Sequence, residues 1–218
     1  MNNKLFVSQR NYFPILIVFL GLNLMRFSCT NCDNELYDRT SYSALISPQT
    51  NAINIGDTLN FSSINSSLFE LEFTNQSYDN SNAPISFKLA LFKVEASNQD
   101  ASSAREQFEL IPQIGELSFR DIFENELIMH NDCADEVCQF SLDLVPMVPG
   151  YYGIQLKYGV IQTQDECTSI SLQPFEIVSN GNNFEICQEI NTIRFRLDGS
   201  FYTNPGDDKN FYFFKVQE

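Results

Sequence analysis

A chain of 218 residues that is 43% hydrophobic carries enough apolar material for one large core or two small ones, which excludes a wholly disordered protein. Twenty Phe and nine Tyr without a single Trp favour a β-rich core. A net charge of −15 repels phosphate backbones and excludes nucleic acid as a partner; such a surface suits solubility, divalent cations or a basic partner.

Residues 1–28 read as a signal peptide. Lys4 and Arg10 precede an apolar run from Tyr12 to Met25, a charged region followed by a hydrophobic one. The run is short for a membrane span, and no other candidate span follows. A retained N-terminal anchor helix is the alternative. The run leads into Arg26-Phe27-Ser28-Cys29. A small residue before a cysteine resembles the lipobox of bacterial lipoproteins, in the loose form found in Bacteroidota. The resemblance implies that Cys29 is diacylated and begins the mature chain. It also implies export to the outer membrane or cell surface of a Gram-negative bacterium, with a lipid anchor as the contact with the membrane. Arg26 stands where the usual lipobox has an aliphatic residue, so cleavage by an ordinary signal peptidase is the alternative. Loss of residues 1–28 leaves 28 acids against 10 bases, a net charge of −18.

Residues 29–40 read as a lipidated tether, polar and acidic through Asp33, Asn34, Glu35 and Asp38. Strands are expected from residue 41 onward. Tyr42–Ser47 is the first, followed by a turn at Pro48-Gln49-Thr50-Asn51. Ile53, Ile55, Leu59 and Phe61 alternate around a kink at Gly56-Asp57. Phe69, Leu71 and Phe73 share one face of the next strand, with Glu70 and Glu72 on the other. After an Asn/Ser-rich loop at 78–84, Phe87, Leu89 and Leu91 share a face within Ile85–Val94. Residues 95–106 are polar and read as a loop, and Phe108–Ile111 is a short strand ending at Pro112. The mixed periodicity of Ile114–Met129 predicts an insertion with one or two helical turns at Phe119–Glu126. Phe140, Leu142 and Leu144 alternate again.

Pro149-Gly150 is a turn signal, and Tyr152, Ile154, Leu156 and Tyr158 then fall on one face. This is the expected central strand. Ile170–Ile177 follows it. About seven strands separated by turn signals predict an all-β antiparallel sandwich. Gly56-Asp57-Thr58-Leu59 after Ile53-x-Ile55 resembles bacterial immunoglobulin-like modules. Pro149-Gly150-x-Tyr152 is similar to the matching strand of immunoglobulin-like and fibronectin-like modules. The resemblance spans 41–178, with an insertion near 95–135, and implies a fold without implying a function. Residues 179–218 read as a small C-terminal appendage packed on the sandwich. Ile186, Ile190, Ile193 and Leu197 fit helical spacing there, but strands are favoured from Thr192 onward. Asp198-Gly199 is a hairpin turn, and Phe211–Val216 is the closing strand.

An exported chain favours disulfides. The nearest pairings are Cys133 with Cys138 and Cys167 with Cys187. Lipidated Cys29 leaves Cys32 unpaired; without the lipid the two are free to pair. Asn131, Asp132, Asp135 and Glu136 surround Cys133. Asp132, Asp135 and Glu136 are the weak candidates for a Ca²⁺ loop, but their spacing is not that of an EF-hand, so no metal and no cofactor is expected. His130 is the only histidine. No Gly-x-Ser-x-Gly elbow presents a nucleophile to it, so no catalytic residue is assigned. Asn60, Asn65 and Asn75 begin glycosylation sequons, and Asp57-Thr58-Leu59 is similar to a short O-glycosylation motif of Bacteroidota. The function expected is a non-enzymatic binding or interaction module of the cell envelope, its partner another envelope protein or a glycan. The alternative is a secreted carboxylate-dependent hydrolase acting on glycans.

Overall fold

The computed structural model describes residues 36–70, 75, 77–79, 85–95, 100–119, 126–162, 168–179, 181–190, 192, 194–197, 200–203, 205 and 208–218. The chain divides into two compact units, Met1–Glu35 and Leu36–Glu218, and every described residue belongs to the second. The signal segment with Cys29, the following Cys32, and Cys167 all lie outside the described residues. Among the described residues no helix is long and apolar enough to cross a membrane.

The second unit is all β, as expected. Its strands run β1 (Leu36–Ser47), β2 (Ala52–Asn54), β3 (Leu59–Ser66), β4 (Leu68–Glu70), β5 (Ser77–Asp79), β6 (Ile85–Lys93), β7 (Ser102–Ser103), β8 (Phe108–Ile114) and β9 (Glu116–Phe119). Then come β10 (Glu126–His130), β11 (Asp132–Ala134), β12 (Val137–Pro146), β13 (Gly150–Gln162), β14 (Thr168–Val178), β15 (Arg194–Leu197), β16 (Ser200–Thr203) and β17 (Phe211–Gln217). One large sheet has the order β11-β12-β3-β1-β14-β13-β6-β10-β9, with β8 beside β12 and β17 beside β13. Two of its pairings are parallel, β1 with β14 and β2 with β17.

The sheet folds over on itself, and aromatic rings show where its halves meet. Phe87 on β6 lies 5.3 Å from the ring of Tyr42 on β1, 6.3 Å from Phe61 on β3 and 5.5 Å from Phe140 on β12. None of those three strands is hydrogen-bonded to β6. The contacts therefore cross the core of a sandwich, with β8, β12, β3 and β1 on one side and β17, β13, β6 and β10 on the other.

The alternation rule explains which residues enter this core. Leu59 and Phe61 of β3, Phe140, Leu142 and Leu144 of β12, and Tyr152, Ile154 and Leu156 of β13 are all buried in it. Strand β13 is central, as the sequence predicts: it pairs with β17, β14 and β6 along its length. Its register shifts between Leu156 and Gly159, so the simple alternation does not run through to its end.

Four expectations need correction. The sandwich begins at Leu36 and not at 41, because Leu36–Thr40 pairs in parallel with β14. The stretch near 95–135 is no insertion: β9 and β10 form the end of the main sheet, and Leu127 and Met129 enter its core. Phe119 and Glu126 are strand residues, not helical ones; 120–125 lie outside the described residues. Strand β8 continues through Pro112, which an edge strand paired only with β12 tolerates.

The C-terminal segment is also more than an appendage. Strand β17 belongs to the main sheet, and Phe211–Phe214 is buried on both faces. Tyr212 and Phe214 enter the sandwich core, whereas Phe211 and Phe213 face outward into a second core. That second core is closed by a 3₁₀ helix, Phe184–Ile190, and by the β15–β16 hairpin through Phe184, Ile186, Phe195 and Leu197. Ile186 and Ile190 keep the helical spacing read from the sequence, and Arg194–Leu197 is the strand it favoured.

Gly153 marks the closest approach in this second core. A Cβ there would stand 2.3 Å from Cζ and 2.5 Å from Cε2 of Phe92. The Phe92 ring thus lies over bare backbone, and the strand interior needs glycine at that point. Gly153→Ala is expected to destabilise the protein by about 1–3 kcal/mol through overpacking. Urea denaturation checks this; an unchanged midpoint would contradict the packing described.

Candidate functional site

Two surfaces of the sandwich gather candidate functional residues. The first is a cleft of about 600 Å³ lined by Gly115, Glu116, His130, Asn131 and Asp132. These residues come from β9, β10 and β11 and from the residues that lead into β9 and β11. His130 lies opposite Ser86 on β6 and Glu116 on β9, so three strands bring their polar outer positions together. Ser86 Oγ is 2.8 Å from His130 Nδ1, and Ser118 Oγ is 2.8 Å from Nε2. A neutral imidazole donates from one nitrogen and accepts at the other, so one serine accepts a proton bond from the ring and the other donates to it. The hydroxyl that donates is polarised by the ring, which is the first half of a nucleophile–base pair. The other serine holds the position that a carboxylate occupies in a Ser-His-Asp system, so no carboxylate orients the ring.

Asn131, next in the chain, turns inward. Its Nδ2 donates to the Tyr42 hydroxyl at 2.5 Å, and that hydroxyl lies 3.0 Å from Ser63 Oγ. Burial pushes the Tyr42 phenol above its ordinary range. Asn131 is therefore a structural member of the core's polar end, not a cleft ligand.

Asp132, Asp135 and Glu136 are not brought together as a cation loop. Asp132 pairs with Gln139 on the β11–β12 hairpin, while Asp135 and Glu136 form its tip. Among the described residues no group of three or more His, Cys, Asp or Glu is placed to hold a metal. The hairpin is clamped by the expected Cys133–Cys138 disulfide across directly paired positions. Asp135 and Glu136 have φ of 49° and 67°, the left-handed region that a two-residue hairpin turn demands.

Of the second expected disulfide, Cys167 lies outside the described residues. Cys187 is a free, buried thiol. It sits in the second core with Phe213, which lies opposite Gly153 of β13. Burial pushes the Cys187 thiol up to about 12, with the Glu185 carboxylate adding to the rise.

Glu126, also on β10, is buried between two lysines, 2.7 Å from Lys157 Nζ and 3.9 Å from Lys88 Nζ. It pairs with cations and faces no second carboxylate in these contacts.

The second surface is the outer face of β8-β12-β3-β1-β14. Alternation turns Ile111 and Gln113 of β8, Val137, Gln139, Ser141, Asp143 and Val145 of β12, Ser62, Ile64 and Ser66 of β3, Ser43 and Leu45 of β1, and Val178 of β14 away from the core. Ile64 is 72% exposed, Val178 48% and Leu45 43%. Carboxylates share this face: Glu109 lies opposite Val145, Asp132 opposite Gln139 and Glu176 opposite Ser43. Asp143 accepts from Asn60 at 2.7 Å and Gln113 at 2.8 Å, and Glu176 is paired with Lys209 at 2.7 Å. The exposed aliphatic side chains Ile64, Leu45 and Val178 stand among them. Asn60 and Asn65, two of the sequon residues, are hydrogen-bonded within this half of the sandwich, Asn60 to Ser141 and Asp143 and Asn65 to the Ser43 carbonyl.

No family model matches the chain, and no curated protein does. Among solved structures it is similar to a cohesin module of a Clostridium perfringens family 33 glycoside hydrolase. The identity is 7% and the TM-score 0.30, over 63% of this chain and 99% of that one. A similarity of that size carries no argument about what this chain does.

Two outcomes follow from the cysteines and the hairpin. In native protein, iodoacetamide is expected to leave Cys187 unmodified; in denaturant without reductant it alkylates it. A thiol that appears only after reduction would restore a paired Cys187. Glu136→Gly is expected to stabilise the hairpin, and with it the protein, by about 1 kcal/mol, because glycine carries no left-handed penalty. Thermal melting reads this directly.

Proposed function

We propose that the protein is an exported, lipid-anchored interaction module of the cell envelope, without catalytic activity of its own, and that a protein partner docks on the sheet face that carries Ile64, Leu45 and Val178. The observation that carries this is the exposure of Ile64, Leu45 and Val178 on that face. Exposed aliphatic side chains gathered on one surface are a usual mark of a protein contact. A nucleic acid or an anionic lipid surface would be repelled by the net charge. The signal-like first 28 residues and the Ser28-Cys29 junction support export and anchoring.

A glycan hydrolase is the second function that an observation favours: Glu116 and Asp132 line one cleft with His130. Two carboxylates flanking a glycosidic bond are the minimum for that chemistry.

Photo-cross-linking in the native host tests the interaction. A cross-linking residue at position 64 is expected to give one discrete protein adduct, and the same residue at Phe201, on β16, none. No adduct from position 64 would overturn the proposal. The intact mass of the native protein is expected to match residues 29–218 plus acyl chains; an unacylated chain would overturn the anchoring. Glycan hydrolysis that is lost in both Glu116→Gln and Asp132→Asn would replace this function with the enzyme.

A further inference from the structure

We infer that the partner docked on this face presents an apolar stripe flanked on both sides by Lys or Arg side chains. This rests on the proposal that the face is a docking surface, and it names the chemistry of the partner.

The basic residues of the chain are segregated. Strands β8, β11, β12, β3 and β14 contain no Lys or Arg, and β1 contains one, Arg39. Across the core, β6 carries Lys88 and Lys93, β13 carries Lys157 and β17 carries Lys215. The covering hairpin adds Arg194 and Arg196. The half of the sandwich that exposes Ile64, Leu45 and Val178 therefore sets almost no cation of its strands against a basic partner.

Register places carboxylates on both sides of an aliphatic band. Val178 lies opposite Leu45, Leu45 opposite Ser62, Ser62 opposite Ser141 and Ser141 opposite Ile114. Val178, Leu45 and Ile114 are the exposed aliphatic members of this row, at 48%, 43% and 39%. Two residues along the strands, the next row holds Glu176 beside Ser43 at one end and Asp132 beside Gln139 at the other, with Ile64 between them. On the opposite side of the band Asp143 stands between Asn60 and Ile111, and Glu109 lies beyond it, opposite Val145. Two residues of a strand span about 6.6 Å, so carboxylate rows flank the band at roughly that distance on each side.

These carboxylates are open to an incoming cation. Asp132 and Glu109 are exposed and form no ion pair among the described residues. Asp143 accepts from the amides of Asn60 and Gln113, which leave its charge in place. Glu176 shares its charge with Lys209, whose side chain is 71% exposed.

Lys and Arg suit such a surface because each has an apolar stem and a charged head. The stem covers aliphatic side chains such as Ile64 while the head reaches a carboxylate. An acidic partner, a second copy included, would set like charges against Asp132, Asp143 and Glu109. A neutral one would strip water from the same carboxylates and supply no counter-ion. The band thus provides contact that salt barely changes, and the flanking rows provide an attraction that salt screens.

The experiment is photo-cross-linking from position 64 of the full chain, in envelopes isolated from the native host, with the adduct measured per amount of chain. Between roughly 0.05 and 0.5 M NaCl the screening length falls about threefold, and the adduct yield is expected to fall by about threefold or more. At the lower salt, Asp132→Lys and Glu109→Lys are each expected to cut the yield by about threefold or more, because a charge at the rim of a contact acts on the rate of association. Asp132→Asn and Glu109→Gln, which keep the shape, cut it less and in the same direction. Glu185→Lys makes the same change of charge at an exposed position of the covering layer and leaves the yield within about twofold of the parent. Urea midpoints equal to that of the parent chain show that the variants are folded. An adduct whose yield holds or rises with salt, or one indifferent to both Asp132→Lys and Glu109→Lys, overturns the inference and leaves the docking face standing. An adduct with a second copy of the chain does the same. If position 64 gives no adduct at either salt, both fail.

Discussion

Tyr152, Ile154 and Leu156 on one side of β13, and Gly153 and Gln155 on the other, are all buried. Burial of both faces of one strand is the constraint on which the rest of the molecule depends. It requires strands on each edge, which β6, β17 and β14 supply. It also requires a layer over each face. The opposite half of the sandwich covers one face, and the segment that closes the second core covers the other. Gly153 leaves room for the Phe92 ring, which in turn lies 5.4 Å from Phe195 and 6.1 Å from Phe213. Gln155 would be an unpaired amide under this layer, but its Nε2 donates to the Tyr202 hydroxyl at 3.2 Å. The two cores are thus tied together through one strand.

This arrangement decides which surfaces are free. The outer face of β6, β13 and β17 is occupied by the chain's own C-terminal residues up to about Gln155. Beyond that point the polar positions Lys88, Glu126, His130, Ser86 and Ser118 take over. The outer face of β8, β12, β3 and β1 has no such cover among the described residues.

Much of the fold was legible in the sequence because alternation is a local signal. Phe87, Leu89 and Leu91, or Phe140, Leu142 and Leu144, announce a half-buried strand without reference to any other part of the chain. Leu36–Thr40 did not, because Asp38, Arg39 and Thr40 are polar; only the distant β14 makes them a strand. Phe211–Phe214 was legible as a strand but not as a central one. A run of four aromatic residues reads the same whether one face is covered or two. The Cys133–Cys138 bond was legible from its short spacing. The polar group around His130 needed the cross-strand register, since Ser86 and Ser118 are unremarkable until β6, β9 and β10 lie side by side. The face that exposes Ile64, Leu45 and Val178 was harder still. Its signal is the outer positions of five strands, from Ile111 to Val178, and it emerges only once their order is known.

Native-state hydrogen exchange along β13 tests the central claim most directly, which is that the C-terminal layer and the sandwich form one cooperative body around that strand. The amides of Ile154 and Gln155 are predicted to exchange only through global unfolding, with the same free energy and urea dependence as the amide of Phe61 in β3. Exchange of Gln155 at markedly lower free energy than Phe61 would show that the covering layer opens by itself. It would contradict the account of a strand sealed on both faces.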